Sequence, residues 1–209
     1  MTVSRPRPPL TQAFAFAYEG ILRTLAGERN MKIHWVSGTA VMLVGMALPF
    51  PPSARAALLF AVLLVIATEV LNAALEGIVD LATQEWMYSA KLAKDAAAGT
   101  VLVVAVGAIT LLTDILWNQW RLVELNSEPV LRTVLFGVPL LVGLACGLTA
   151  AARLAAVGFG VACLTWAVLA RHTADPVFAA VALGLIIVAA DARRRRSRLL
   201  DDRPPASRA

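Results

Sequence analysis

The sequence predicts an all-α integral membrane protein. An N-terminal amphipathic helix lies on the membrane surface, and a three-helix membrane core and about three additional transmembrane helices follow it. Three observations carry this. Of 209 residues, 59% are hydrophobic and the mean hydropathy is +0.72, whereas a soluble domain sits near half apolar. The apolar residues come in long blocks, and a helix needs ~20 of them to cross a ~30 Å hydrocarbon core. The basic residues cluster at block ends, most densely in Arg193, Arg194, Arg195, Arg196 and Arg198.

Residues 1–9 read as a flexible tail. Residues 1–12 carry Arg5, Arg7 and three prolines without an apolar run. No cleavable signal peptide is expected, so the first membrane helix serves as the targeting signal. From Leu10 to Leu25, Phe14, Phe16, Ile21 and Leu22 alternate with Glu19 and Arg23, as in a helix lying at a membrane interface. Six spans follow, at about 31–49, 54–83, 90–113, 131–151, 155–170 and 176–191. The first ends at Pro49, Pro51 and Pro52. A polar loop with Trp117, Trp120, Arg121 and Glu124 separates the third span from the fourth. Residues 193–209 read as a basic tail.

Charge orients the chain. With six spans and a cytoplasmic N-terminus, only Arg55, Arg121, Arg132 and Arg171 face outward, leaving 15 of the 19 Lys and Arg inside. This predicts a multi-pass protein of a bacterial inner membrane with both termini cytoplasmic. A nucleic-acid interface is not expected, because the basic residues flank apolar spans instead of interleaving with aromatics on a soluble face. Cys146 and Cys163 lie within apolar stretches and read as small buried hydrophobes.

The second span holds charges that lipid does not tolerate: Glu69, Asn72, Glu76 and Asp80. Intramembrane carboxylates mark function by default. At ~100° per residue the three acids fall within ~40° of one another, with Asn72 ~60° from Glu69. Counted from the outer end of the helix, Glu69 lies ~22 Å in and Glu76 ~33 Å in. The third span opens at the same level with Lys91, Lys94 and Asp95, followed by the small run 96–99. The first is preceded there by Glu28, Arg29, Asn30 and Lys32. Carboxylates hold Mg²⁺ together with substrate phosphates. A lysine neutralises phosphoryl oxygens, and a deeper carboxylate takes a proton from a hydroxyl. One reading is phosphoryl transfer from a water-soluble donor to a membrane-dissolved alcohol. An ion path in a transporter or channel subunit, or an inactive scaffold with the same acidic face, stays open on spacing alone. No phosphate-binding GxxxxGK[ST] loop is present. His34 and His172 belong to no Ser–His–Asp set.

The stretches GERNMKIH (27–34), ATEVLNAALEGIVDL (67–81) and AKLAKDAAAGTVL (90–102) resemble the bacterial diacylglycerol kinase family, which includes the undecaprenol kinases. The resemblance covers about residues 10–115. It implies a lipid kinase that transfers the γ-phosphate of Mg-ATP to the hydroxyl of diacylglycerol or undecaprenol, working as a homotrimer with three membrane helices per subunit. It implies that Glu69 is the general base and that Glu28 and Glu76 bind Mg²⁺ and ATP. Lys94 and Asp95 match the nucleotide-contacting pair, and Asn72 and Asp80 match supporting polar residues. Where the family often has Glu-Tyr-His, this sequence reads Glu85-Trp86-Met87. Glu85 is kept and Trp86 still offers an aromatic face to ATP, but Met87 has no hydrogen-bond donor. The form ERNMKIH is closer to the Gram-positive branch and tilts the acceptor toward undecaprenol. The division expected is a kinase-like domain at 10–116, an external loop at 117–128 and additional membrane helices at 129–192. The last region carries no second catalytic motif and is expected to be dispensable for the chemistry.

Overall fold

The structure is a computed structural model that describes residues 9–201. The tail expected at 1–9 falls, except for Pro9, outside the described residues, as do residues 202–209. The order is α1 (Leu10–Gly27), α2 (Arg29–Ala47), α3 (Pro52–Ala82), α4 (Tyr88–Asn118), α5 (Trp120–Leu125), α6 (Ser127–Thr149), α7 (Ala152–Ala170), α8 (Pro176–Arg194) and α9 (Arg196–Asp201), with no strand among the described residues. The chain is an all-α integral membrane protein.

Five helices, α3, α4, α6, α7 and α8, are long and apolar enough to cross a membrane. Helix α2, expected as the first span, is not among them, although its 19 residues reach about 28 Å. Contacts along its length show that it runs antiparallel to α8 and beside it from end to end. At one end the Met46 carbonyl accepts a bond from the Ala174 backbone N–H at 2.8 Å. In the middle the Trp35 indole N–H donates to the Leu185 carbonyl at 2.9 Å. At the other end Lys32 lies within electrostatic range of Arg193. Its lower apolarity has a physical reason: α2 packs against α3, α6 and α8. Protein rather than lipid surrounds it, so it tolerates Gly38, Thr39 and Gly45, all buried.

Hydrocarbon is as apolar as leucine, so apolar contact between membrane helices gains little from the hydrophobic effect and association depends on close fit. Glycine supplies that fit at two places. A Cβ on Gly45 would fall 2.4 Å from the Phe178 ring, so the bare backbone of α2 seats the largest fully buried side chain of α8. Between α6 and α7, a Cβ on Gly143 would fall 2.5 Å from the Gly158 carbonyl oxygen, and one on Gly147 would fall 2.8 Å from the Phe159 ring. The spacing of Gly143 and Gly147 is thus a packing device. The main core lies between α2 and the C-terminal helices, with Met42, Leu140, Leu144, Phe178, Ala182 and Ile186 all fully buried or nearly so.

The hairpin of α3 and α4 stands at the edge of this core. Each is 31 residues long, about 46 Å, well beyond the ~30 Å of hydrocarbon. Along α4 only Ala97, Val101 and Ile115 are buried. The loop expected at 117–128 holds instead the end of α4 and the short helix α5. Bonds from Asn118 to Asp114 and from the Trp120 indole to Glu124, each at 2.9 Å and four residues apart, support helical turns there.

The starts of α3 and α8 are joined by a pair. Asp175 caps α8 by accepting from the Val177 N–H at 2.8 Å and accepts from the Arg55 guanidinium at 2.7 Å. Burial alone would raise the Asp175 carboxyl. The bonds from Arg55, Val177 and Phe178 outweigh it and hold the pKa below the ordinary carboxylate value.

Two predictions follow from these contacts. Gly143→Ala forces α6 and α7 apart, whereas Gly160→Ala meets nothing within 4 Å. Thermal unfolding in detergent should show a lower Tm for the first and an unchanged Tm for the second. The other concerns pH. The folded pKa of Asp175 lies below its unfolded value of ~3.9. Its contribution is therefore complete above that value and fades as pH falls through it toward the folded pKa. Asp175→Asn keeps a capping side chain but loses the charge. Its stability deficit should be present at pH 7 and shrink below about pH 4, as followed by unfolding across that range. A deficit independent of pH would place the effect elsewhere.

Candidate functional site

The charged groups of the sequence pattern lie on α2, α3 and α4, with Glu28 at the α1–α2 junction and Glu85 in the 83–87 linker, at the end of the bundle opposite the Arg55–Asp175 pair. Glu69 and Asn72 face inward from α3 and are 3% and 8% exposed. This burial sets them apart from the apolar residues around them on α3, such as Leu71, Leu75 and Ile78, which are exposed. The Asn72 amide N–H donates to a Glu76 carboxylate oxygen at 2.9 Å. Its own carbonyl oxygen is buried with no hydrogen-bond partner. A buried acceptor left open is rare, because its desolvation is uncompensated. Asn72 and Glu69 line a cavity of about 300 Å³ with Asn30, Ile33, His34, Ala98, Val101, Leu102 and Ala105.

Glu28 sits at the junction of α1 and α2, where an extended backbone conformation (φ −83°, ψ 133°) separates the two helices. Its carboxylate and that of Glu76 both lie within electrostatic range of Glu69. Among the described residues no three His, Cys, Asp or Glu side chains form a complete metal cluster. Mg²⁺ does not require one: it is held by one or two carboxylates, with phosphates and water completing the shell. Glu28 and Glu76 are carboxylates of the hard, all-oxygen kind that such an ion takes.

Farther toward the water-facing end, a second cleft of about 420 Å³ is lined by Asp80, Glu85, Trp86, Met87, Lys91, Lys94 and Asp95, among others. The Lys94 ammonium donates to Asp80 at 2.5 Å and Lys91 to Asp95 at 2.6 Å. These groups are largely solvent-facing, so the pairs add little stability and leave their charges available. The segment 83–87 linking α3 to α4 is tied by the Thr83 hydroxyl, which donates to the Glu85 carbonyl and accepts from the Glu85 N–H, both at 3.2 Å.

The expected residues thus divide into two neighbouring groups. Glu69 and Asn72 line the deeper cavity, with Glu76 bonded to Asn72 and Glu28 at the α1–α2 junction, and Asp80, Glu85, Trp86, Met87, Lys94 and Asp95 line the second cleft. His34 was not assigned from the sequence, and Lys91 was named among the charges that open the third span without a partner. His34 lines the Glu69 cavity, and its signal was its position one helical turn after Asn30. Lys91 pairs with Asp95 from four residues away, a spacing that brings helix neighbours together.

The arrangement defines an all-α membrane protein with a carboxylate buried beside a lipid-depth cavity and a charged cleft one to three turns closer to water. The chain belongs to the prokaryotic diacylglycerol kinase family. The pattern of that family, described as prokaryotic diacylglycerol kinase, matches residues 15–116. The chain is 40% identical over 103 residues to a diacylglycerol kinase of Synechocystis sp., covering 49% of this chain and 59% of that relative. It is 36% identical over 95 residues to the undecaprenol kinase of Bacillus subtilis, covering 46% of this chain and 77% of that relative. The match thus spans somewhat over half the length of the first relative and about three quarters of the second. No solved structure matches the chain.

Glu69→Gln keeps the shape and removes the charge. The protein should stay folded while any activity that needs a base falls ~10²–10⁴-fold. Activity within a fewfold of the parent, at equal Tm, would remove Glu69 from that role.

Proposed function

We propose that this chain is a membrane lipid kinase that transfers the γ-phosphoryl group of ATP to the hydroxyl of a lipid alcohol, diacylglycerol or undecaprenol. The observation that carries the reading is Glu69, a carboxylate 3% exposed at a cavity that Ile33, Val101 and Leu102 also line, with a charged cleft farther along α3. Family membership supports it.

In this reading the lipid hydroxyl enters the deeper cavity and donates to Glu69 or to the Asn72 carbonyl. Glu69 takes the hydroxyl proton as the alcohol oxygen bonds to the γ-phosphorus, the bond from that phosphorus to the bridging oxygen breaks, and ADP leaves. Asn72 holds Glu76 in place through its amide N–H. The outer cleft receives the nucleotide: Lys94 screens phosphate oxygens, and Trp86, 79% exposed, offers its ring to the base. Glu28 and Glu76 would hold Mg²⁺, which supplies charge neutralisation of the phosphates when bound. The two relatives' names point to different acceptors, and the ERNMKIH form favours undecaprenol.

The same reading extends to the assembly and its setting. We infer a homotrimer in a bacterial inner membrane with both termini cytoplasmic. The long, uncovered apolar sides of α3 and α4 and the inward bias of basic residues support it.

The test is direct. Purified protein in detergent, given Mg-ATP and either diacylglycerol or undecaprenol, should yield the phosphorylated lipid. No product from either lipid, with ion flux in liposomes, would favour an ion path; neither result would leave a scaffold. Glu28→Gln and Glu76→Gln should each shift the Mg²⁺ titration of activity to higher concentration as well as lower turnover. Unchanged titrations for both would overturn the metal assignment.

A further inference from the structure

Asp191 stands where its charge has least support. It lies three residues before the end of α8, at the negative end of the helix dipole, where bases are favoured and acids are not. Yet it is half-buried and both of its oxygens are engaged. One accepts from the Tyr18 hydroxyl of α1 at 3.1 Å, across 173 residues of sequence. The other accepts from Arg195 at 2.9 Å. The Arg195 pair is local, four residues away, and pairs of that kind contribute little. The Tyr18 bond is the one that reaches a distant element.

That element is docked over half its length. Helix α1 packs on α8 and α9 as well as on α2 and α3. Its Leu22, Leu25 and Ala26 are buried in one core with Ala189 and Ala192 of α8 and Leu199 of α9. Upstream of Tyr18, Leu10, Phe14 and Phe16 are exposed, as in a helix resting on a bilayer surface. Tyr18 and Asp191 thus meet where α1 passes from the membrane surface onto protein.

The docked end of α1 carries Glu28. Helix α1 ends at Gly27 and α2 begins at Arg29, so Glu28 is the whole joint. Its N–H closes α1 by donating to the Thr24 carbonyl at 2.8 Å, and its carboxylate makes no capping bond to α2. A joint of one residue has no slack, so the seats of the two helices together set where that carboxylate points. Helix α2 is seated by α6 and α8, and α1 by α8 and α9. Both seats include the C-terminal extension.

We propose that the extension positions Glu28 through α1, with Tyr18 and Asp191 as the latch. Both are positioning residues that act through the α1–α2 joint. The proposal rests on the reading of Glu28 as a Mg²⁺ ligand, and its test does not need turnover.

Two quantities are measured on the full chain in a neutral detergent. One is hydrogen exchange of the backbone amides of residues 10–27. The other is the Mg²⁺ concentration that gives half of the rise in Tm produced by a fixed concentration of ATP. Tyr18→Phe and Asp191→Ala should both speed exchange in α1, leave α6 and α7 unchanged, and raise the Mg²⁺ midpoint about threefold or more. Asp191→Asn keeps an acceptor for Tyr18 and should shift the midpoint less than Asp191→Ala. In a Glu28→Gln chain, Tyr18→Phe should add no further shift, because changes that act through one group are not additive. If Asp191→Ala does not fold, Tyr18→Phe, which loses a single hydroxyl, decides alone. Faster exchange or a lower Tm with an unmoved Mg²⁺ midpoint makes the latch merely structural and overturns the proposal. So does unchanged exchange in α1, or a full further shift in the Glu28→Gln chain. Absence of any Mg²⁺-dependent rise in the parent also overturns it, and the lipid product assay then judges the kinase reading by itself. If the latch moves the Mg²⁺ midpoint while no lipid is phosphorylated, the positioning role stands and the kinase reading falls.

Discussion

Everything in this molecule depends on how α2 is enclosed. One side of it faces α3 and carries Asn30, Ile33 and His34 into the Glu69 cavity. The other side is packed by α6 and α8, where Gly45 accepts the Phe178 ring and Trp35 reaches the Leu185 carbonyl. A helix held by fit rather than by the hydrophobic effect has a defined rotation, because its small residues dock in one orientation only. That rotation decides whether Glu28, Asn30 and His34 point at α3. Contacts far from any charged group thereby set the geometry of the charged ones.

The second constraint is depth. Along α3 the polar groups run from Glu69 and Asn72, almost fully buried, through half-buried Glu76 to exposed Asp80. Eleven residues separate the first from the last, about 16 Å of axis. On the proposed reading, such a ladder would meet a charged, water-soluble group at one end and an apolar one at the other without placing either in the wrong medium. The 31-residue length of α3 and α4 makes this possible. A helix of ordinary spanning length would end before the outer cleft, and residues 83–87 would have no rigid support beyond the hydrocarbon.

Much of this was legible in the sequence because its signals are local. The helical phase of Glu69, Glu76 and Asp80 needs only the period of the helix, and the buried face it predicts holds Glu69 and Asn72. The ends of α2, α3 and α8 follow prolines and polar residues within a few positions. Other features depend on what stands opposite. Nothing in 29–47 says that α2 would be wrapped by helices more than 80 residues later, so its modest apolarity looked like that of a lipid-facing span. The Arg55–Asp175 pair joins residues 120 apart. His34 sat within a quoted motif, yet only the packing of α2 on α3 turns it toward Glu69.

The extension shows most clearly where reading by spans falls short. Residues 129–192 carry few charges inside their apolar stretches, and on that basis they stood apart from the chemistry. The structure adds a packing role: α6 and α8 form the far wall of α2. Removing everything after Asn126 therefore removes the support that fixes the rotation of α2. An inactive truncated chain would not by itself place catalytic residues in the extension, because a rotated α2 would misdirect Glu28 and Asn30 equally well. A substitution at Phe178 tests the wall alone, because it empties the Gly45 seat and leaves every charged group in place. A region without a catalytic motif can still hold α2 in register, because in a bilayer fit is the main source of helix association.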